Sequence, residues 1–128
     1  IGIDPSDGFI VQARKNVPDP HAEFRIGDAQ NLTLGVANLD VATSALALNF
    51  VQDPIKALSE MKRVIRPDGV VAVYVWDYPG GGIEFMHLFW TAVTALDPDV
   101  RDRVKSARFP FCTREGLLEM MVEAGVSK

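Results

Sequence analysis

The stretch Glu23-Phe24-Arg25-Ile26-Gly27-Asp28 (residues 23–28) is a short strand-like run that ends in a carboxylate, and Ile1-Gly2-Ile3-Asp4 (residues 1–4) repeats that arrangement. Both runs are typical of β-strands. If the strands are parallel neighbours, Asp4 and Asp28 lie together at the carboxyl edge of a sheet, where α/β sheets bind ligands. One acid there can accept hydrogen bonds from ribose hydroxyls and the other from the adenine amine. The pair therefore predicts a ligand that contains adenosine.

Strand-like and helix-like segments alternate along the whole chain. Strands are predicted at residues 1–3, 23–26, 39–44 and 70–76. Helices are predicted at residues 6–16, 53–65, 83–96 and 113–124. The strand at 70–76 is apolar without alternation, which is typical of strands that helices cover on both sides. The order predicts an α/β fold of three layers, with a mostly parallel sheet and helices on both faces.

Capping residues and apolar spacing give the details of these helices. The predicted N-caps are Ser6, Asp53 and Thr113. The apolar side of the first helix is predicted as Phe9, Ile10 and Ala13, that of the second as Ile55, Leu58, Met61 and Ile65, and that of the last as Leu117, Leu118 and Met121. The run Pro67-Asp68-Gly69 predicts a turn before the last strand.

The composition is that of one soluble globular domain, with 128 residues, 48% of them hydrophobic and 23% charged. The net charge of -4 argues against a general nucleic-acid binder, which would present a basic face. The single Cys112, predicted as a packed thiol, excludes an internal disulfide framework and fits a reducing cytoplasm. No apolar run reaches the roughly twenty residues of a membrane span. We therefore expect a cytoplasmic protein that binds neither nucleic acid nor membranes.

The length suffices for one hydrophobic core but is short for a complete doubly wound domain, which needs several strand–helix units of about thirty residues each. The first residues are already typical of a strand. The last five, residues 124–128, stop where a helix would lead into another strand. We expect residues 1–128 to form one partial domain that is truncated at both ends.

Four segments of the chain carry a resemblance to a known family. They are Gly2-Ile3-Asp4-Pro5-Ser6, Gly27-Asp28-Ala29-Gln30, Leu39-Asp40-Val41-Ala42 and residues 61–69. Over about residues 1–76 the chain resembles class I S-adenosylmethionine-dependent methyltransferases, most of all the small-molecule branch that contains the ubiquinone and menaquinone biosynthesis enzymes. The resemblance implies a Rossmann-like fold. It also implies an incomplete one, because the family's first strand with its glycine-rich loop, and its last strands, have no counterpart in this chain.

The resemblance implies S-adenosylmethionine as the cofactor, S-adenosylhomocysteine as its product and a small-molecule methyl acceptor. Carried over by position, Asp4, followed by Pro5, would bind the ribose hydroxyls. Asp28 would accept from the adenine amine, with Ala29 supplying a backbone contact beside the ring. The amino-acid end of the cofactor and the methyl-transfer channel would be lined by Ser44, Ala45 and Leu46.

Residues later in the chain are candidates for the acceptor pocket: Asn49, Trp76, Tyr78 and His87. Methyl transfer needs little beyond placing a nucleophile in line with an activated methyl group, so no fixed catalytic residue is predicted. Tyr78 and His87 are the candidates where a general base is required. The aromatic group of Trp76, Tyr78, Phe85, Phe89 and Trp90 either walls this pocket or packs a helix onto the sheet. No spacing indicates a metal site.

Other interpretations of the same residues remain open. Asp4 is also placed to cap a helix, and Asp28 to stabilise a turn. Residues 80–82, three glycines, are predicted as a hinge or lid rather than a phosphate loop, because the spaced glycines, lysine and hydroxyl of such a loop are missing.

Two further hypotheses concern the whole chain. In the first, it is a non-catalytic α/β module whose unpaired strand edges make it a homo-oligomer or require a complementing segment. In the second, it is part of a nicotinamide-dinucleotide enzyme with Asp4 as the ribose acid. Asp28 and the lack of a later catalytic Lys, Tyr or His group weaken that second hypothesis.

Overall fold

The computed structural model describes residues 1–77, 83–103 and 109–126. Within them the strands are β1 (Gly2–Asp4), β2 (Phe24–Ile26), β3 (Leu39–Ala45) and β4 (Ile65–Tyr74). The α-helices are α1 (Asp7–Asn16), α2 (Pro54–Val64), α3 (Glu84–Leu96) and α4 (Arg114–Glu123), with 3-10 turns at Leu48–Phe50 and Pro98–Arg103. β1 pairs with β2, and β3 with β4, both in parallel. The predicted alternation and parallel pairing are confirmed.

The first unit, β1–α1–β2, follows its local sequence signals. The Ser6 hydroxyl accepts a hydrogen bond from the Phe9 N–H at 3.4 Å and caps α1, as predicted. Ile10 faces the interior and is 2% exposed, whereas Phe9 is 70% exposed. The prediction that Phe9 is on the packed side is therefore wrong. Neighbouring helix residues lie about 100° apart around the axis, so only one of these two faces the strands.

The second unit, β3–α2–β4, contains most of the core. Asp53 caps α2 by accepting the Lys56 N–H at 2.9 Å, and Pro54 occupies the first turn, as predicted. α2 packs on β3, β4 and α4. The buried cluster comprises Leu48, Ala57, Leu58, Met61, Met120 and Ala124. Burying apolar side chains between a helix and a sheet is the main stabilising contribution in such a unit.

The junction between α2 and β4 differs from the prediction. The helix ends at Val64, which is fully buried, and Ile65 already begins β4. The predicted turn at residues 67–69 lies inside β4. Since Ile65 pairs with Leu39 and Val70 with Val41, β4 has four residues where β3 has one. The turn residues therefore form a bulge, and Asp68 takes a positive φ of 63° within it.

Exposure along β4 alternates, although its sequence does not. Val70 and Tyr74 are 54% and 58% exposed, whereas Val71 and Val73 are half-buried and pack against the core cluster. The strand also ends at Tyr74 rather than Trp76. The burial predicted for both sides of this strand is therefore observed on one side only.

Helix α3 has the predicted bounds but not the predicted packing. None of its residues is buried, and Phe85 and Phe89 are 70% and 54% exposed. Its main described contacts are with the turn Pro98–Arg103. The interpretation of the aromatic group as packing between this helix and the sheet is therefore not supported. The predicted hinge at residues 80–82 lies outside the described residues.

Helix α4 closes the described core. Thr113 caps it by accepting the Gly116 N–H at 3.0 Å, as predicted. Met120 is buried, whereas Leu118, predicted to face inward, is 50% exposed. Cys112, just before the helix, is fully buried, and this burial raises the pKa of its thiol. The prediction of a packed thiol is confirmed.

Candidate functional site

Asp4 and Asp28 lie at the same edge of the β1–β2 pair. Asp4 is the last residue of β1 and pairs in register with Ile26, the last residue of β2. Gly27 donates its N–H to the Asp4 carbonyl at 3.1 Å, and Asp28 follows directly. Because both strands run in the same direction, the two carboxylates are brought to their shared carboxyl end, where the sequence predicts them.

The half-buried Asp4 side chain is only partly used by the protein. Its Oδ1 accepts the Ser6 N–H at 2.7 Å, whereas the cap of α1 is Ser6 rather than Asp4. Over the described ranges, Oδ2 has no hydrogen-bond partner. One carboxylate oxygen therefore orders the turn into α1, and the other is available to ligand hydroxyls. Pro5 beside it is exposed.

Asp28 is exposed, and its carboxylate is hydrogen-bonded by Gln30. Asp28 Oδ1 accepts the Gln30 N–H at 2.8 Å and the Gln30 side-chain amide at 3.1 Å, and Oδ2 accepts the same amide at 3.2 Å. These bonds, first the backbone one, lower the pKa of Asp28. The carboxylate is thus charged at neutral pH, as an acceptor for an amine should be. Ala29 between them packs against the core cluster.

The residues predicted at the end of β3 stand at its carboxyl end. Ser44 and Ala45 pair with Val73 and Tyr74, and Leu46 donates its N–H to the Tyr74 carbonyl at 2.9 Å. Leu46 has a φ of 55°, in a region that is costly for a side chain of its size. With its backbone in the left-handed conformation, Leu46 changes the direction of the chain between β3 and the turn Leu48–Phe50.

Asn49 in that turn is 5% exposed. Neither the oxygen nor the nitrogen of its side-chain amide has a hydrogen-bond partner among the described residues. Buried amides are normally paired, and leaving one unpaired costs about 1–3 kcal/mol. The placement of Asn49 in the acceptor pocket stays a prediction.

The other pocket candidates are Trp76, Tyr78 and His87. Trp76 is 47% exposed, and His87 is exposed on α3. Tyr78 lies outside the described residues. The prediction of a shared pocket for these three side chains therefore stays untested.

The chain after Asp28 is fixed to α2 by contacts that the sequence did not reveal. Gln30 Oε1 accepts the Asp53 N–H at 3.0 Å. Glu60 accepts the Leu32 N–H at 2.8 Å, and Arg63 donates to the Leu32 and Leu34 carbonyls at 2.7 and 3.0 Å. We call these contacts the loop tether. Through it, the loop after β2 is joined to the helix that carries the core.

Glu60 and Arg63 also form an ion pair of 2.6 Å on α2, with side chains 17% and 32% exposed. Their mutual hydrogen bonds lower the pKa of Glu60 and raise that of Arg63. Residues three positions apart on a helix are neighbours, so the sequence predicts that Glu60 and Arg63 can pair. The backbone groups that they bond lie 28 to 31 residues away in sequence, and no pattern in the sequence predicts those contacts.

Among the described residues, no group of three or more His, Cys, Asp or Glu side chains is arranged to hold a metal ion. Within the same ranges, no helix has the length and apolar character needed to cross a membrane.

Comparison with known proteins gives a consistent result. The profile of the methyltransferase domain family matches residues 1–73. A ubiquinone/menaquinone biosynthesis C-methyltransferase of Campylobacter jejuni is 39% identical over 72 residues, which are 56% of this chain and 30% of that protein. A demethylmenaquinone methyltransferase of Staphylococcus saprophyticus is 24% identical over 137 residues, covering 99% of this chain and 59% of that protein.

Solved structures agree on the fold. A methyltransferase of Thermotoga maritima, described as S-adenosylmethionine-dependent and a possible histamine N-methyltransferase, has a TM-score of 0.66 at 24% identity. The match covers 98% of this chain and 54% of that one. The predicted Rossmann-like α/β fold class is confirmed. The chain spans 23% to 30% of the length of the first curated relatives it matches.

Proposed function

Because this chain belongs to the methyltransferase domain family, within the class I S-adenosylmethionine-dependent methyltransferases, we propose that its protein methylates a small-molecule acceptor. The family's cofactor is S-adenosylmethionine. The observation that carries the proposal is that Asp4 and Asp28 lie together at the carboxyl end of the paired parallel strands β1 and β2. The similarity to a C-methyltransferase of ubiquinone/menaquinone biosynthesis supports a small acceptor.

The hydrogen-bond acceptors at this edge suit the adenosine part of the cofactor. Asp4 Oδ2 would accept from the ribose hydroxyls while Oδ1 keeps its bond from Ser6. Asp28 would accept from the adenine amine, with the Ala29 backbone beside the ring. The carboxyl end of β3, with Ser44, Ala45 and Leu46, would hold the amino-acid end. Both parts of this site stand at carboxyl ends of parallel strands, where α/β folds bind ligands.

The bound cofactor supplies a methyl group already activated by its sulfonium. The protein's contribution is to orient that group and the acceptor and to exclude water, which together provide much of the acceleration. Asn49 is the proposed polar contact to the acceptor, with Trp76, Tyr78 and His87 as further pocket candidates. Tyr78 or His87 would take a proton only from an acceptor that loses one during transfer.

The test is calorimetric titration of the 128-residue chain with S-adenosylhomocysteine, with NAD as the comparison ligand. Asp4→Asn keeps an oxygen for the Ser6 N–H but removes the charge that the ribose hydroxyls would meet. We expect it to weaken S-adenosylhomocysteine binding by about 1.5–3 kcal/mol, the usual contribution of hydrogen bonds to a charged group. Asp7→Asn, an exposed acid in the first turn of α1, is the matched control and should leave affinity unchanged.

Three outcomes contradict parts of this proposal. Unchanged affinity in Asp4→Asn rules out the ribose role of Asp4. Equal or tighter binding of NAD favours the nicotinamide hypothesis. Binding of neither ligand to the unaltered chain shows that residues 1–128 do not contain a sufficient adenosine site.

The second candidate function, a module that associates with another copy, is favoured by the strand pairing. Over the described residues, β1 bonds only to β2, and β3 only to β4. Within that part of the chain, every strand therefore has one side without a neighbouring strand. Unpaired edges promote pairing with other chains. We expect light scattering to give a mass above the 14.0 kDa of one chain. A uniform monomer across a wide concentration range would contradict this candidate.

A further inference from the structure

Gln30 joins the Asp28 carboxylate to the start of α2. Its side-chain nitrogen donates to both Asp28 oxygens, at 3.1 and 3.2 Å, and its side-chain oxygen accepts the Asp53 N–H at 3.0 Å. Its own N–H donates to Asp28 Oδ1 at 2.8 Å. One residue therefore connects the carboxylate to the helix by three separate groups.

The orientation of the Gln30 amide follows from its partners. Asp28 carries a charged acceptor and the Asp53 N–H is a donor, so the amide nitrogen must face Asp28 and the oxygen must face Asp53. The reversed amide would lose all three of these side-chain bonds. The side chain therefore has one favourable orientation.

The helix end of this connection is rigid. Asp53 caps α2, and its side chain is itself bonded to the Lys56 N–H at 2.9 Å. α2 carries Leu58 and Val64, both fully buried. A carboxylate connected to a packed helix loses less conformational freedom when a ligand binds than a free side chain would.

The loop is also held beyond Gln30. The Leu32 N–H donates to Glu60 and the Leu32 carbonyl accepts from Arg63, both on α2. The backbone on the far side of Gln30 is thus fixed independently. Removing the Gln30 side-chain amide should therefore leave the Asp28 carboxylate with only its bond from the Gln30 N–H, without releasing the loop.

We propose that Gln30 is a positioning residue for adenine recognition, holding the Asp28 carboxylate so that Oδ2 faces the 6-amino group of the cofactor. This inference rests on the proposed function, because it takes Asp28 as the acceptor of that amine. An ionised carboxylate offers about four acceptor sites. Gln30 bonds Oδ1 twice and Oδ2 once, so most of the remaining capacity is on Oδ2.

The inference is tested by selectivity for the amine rather than by affinity alone. The probes are S-adenosylhomocysteine and its purine riboside analogue, which lacks only the 6-amino group. We expect the unaltered chain to bind S-adenosylhomocysteine roughly tenfold more tightly, the worth of one hydrogen bond to a charged group. In Gln30→Ala this ratio should fall to about two- or threefold, while affinity for the analogue stays the same.

Three variants complete the experiment. Gln12→Ala makes the same change at an exposed position of α1 and should leave the ratio unchanged. Gln30→Glu keeps the size of the side chain but replaces the donor with a charge, so it should lose the selectivity as well. Asp28→Ala removes the acceptor itself and should bring the ratio close to one.

The outcomes separate the two proposals. If Asp28→Ala keeps the full ratio, the adenine role of Asp28, and with it this part of the proposed function, is wrong. If Asp28→Ala loses the ratio but Gln30→Ala keeps it, only the positioning inference is overturned. Equal weakening of both ligands in Gln30→Ala would show a merely structural residue and would also overturn the inference.

A second readout needs no ligand. Carboxyl NMR of the free chain should show the pKa of Asp28 raised towards its ordinary value in Gln30→Ala, and unchanged in Gln12→Ala. The Gln30 N–H, which contributes most to the lowered pKa, and Lys56 on α2 are present in both variants, so the rise measures the contribution of the Gln30 side chain alone. An unmoved Asp28 pKa in Gln30→Ala would overturn the inference even if the chain bound neither probe.

Discussion

Replacing Leu58 with alanine is expected to lower the free energy of unfolding by about 2–5 kcal/mol, the range for truncating a fully buried leucine. Leu58 is 0% exposed at the centre of α2. The helix packs on β3, β4 and α4, so the cavity would open where these elements meet. That loss is a large fraction of the stability of a small domain.

Urea denaturation followed by circular dichroism measures this change. Leu118→Ala is the matched control, because Leu118 lies in α4 with half of its surface exposed. It makes the same chemical change in a helix and should cost less than about 1 kcal/mol. Equal losses in the two variants would contradict the central place of α2 in the core.

The consequence extends to the candidate site. Gln30 and Leu32 reach α2 through the loop tether, so a loosened α2 should also loosen the loop that carries Asp28. We expect Leu58→Ala to weaken S-adenosylhomocysteine binding although the side chain lies outside the site. Core and site are therefore connected through one helix.

The helix ends were predictable because local chemistry marks them. Ser6, Asp53 and Thr113 each accept a hydrogen bond from the N–H three residues further on. Such caps depend on four consecutive residues and on little else. The placement of Asp4 and Asp28 was predictable for a similar reason, since it requires only the direction of two strands.

Burial was less predictable, because it depends on what an element packs against. Phe9, Phe85 and Leu118 are apolar residues on helices, yet each is at least half exposed. Val70 and Tyr74 are likewise exposed in the most apolar strand. Periodicity shows which residues share a side of a helix or strand, but not whether a partner covers that side.

The loop tether was not predictable at all. Gln30 meets Asp53 across 23 positions of sequence, and Leu32 meets Glu60 across 28. Each contact joins a side chain to a backbone group, and a backbone N–H or carbonyl leaves no mark in the sequence. Only the folded positions of the loop and α2 bring these groups together.

Replacing Glu60 with alanine is expected to lower the free energy of unfolding by about 2–4 kcal/mol. The range lies between that of an exposed ion pair, about 0–1 kcal/mol, and that of a broken buried pair, about 3–5 kcal/mol. The Glu60 side chain is 17% exposed, which places it nearer the buried case. The change leaves the Leu32 N–H without its acceptor and Arg63 without its carboxylate partner, while Arg63 keeps the Leu32 and Leu34 carbonyls.

Asp40→Ala is the control for this prediction. Asp40 also meets an arginine, Arg66, at 2.6 Å, but the two side chains are 78% and 52% exposed. Water replaces such a pair easily, so the control should cost less than about 1 kcal/mol. A loss in Glu60→Ala no larger than in Asp40→Ala would show that the tether adds nothing to stability.

The pH dependence identifies the Glu60 charge as the source of the effect. The hydrogen bond from Arg63 lowers the pKa of Glu60 in the folded chain below its ordinary value of 4.5. A depressed folded-state pKa contributes stability that is fully present above the unfolded value and is lost as the pH falls through the folded value. The stability difference between the unaltered chain and Glu60→Ala should therefore be full at about pH 7 and should shrink towards about pH 3. Urea denaturation at both pH values measures it. A difference that stays constant would assign the effect to lost packing rather than to the ion pair that joins the loop to α2.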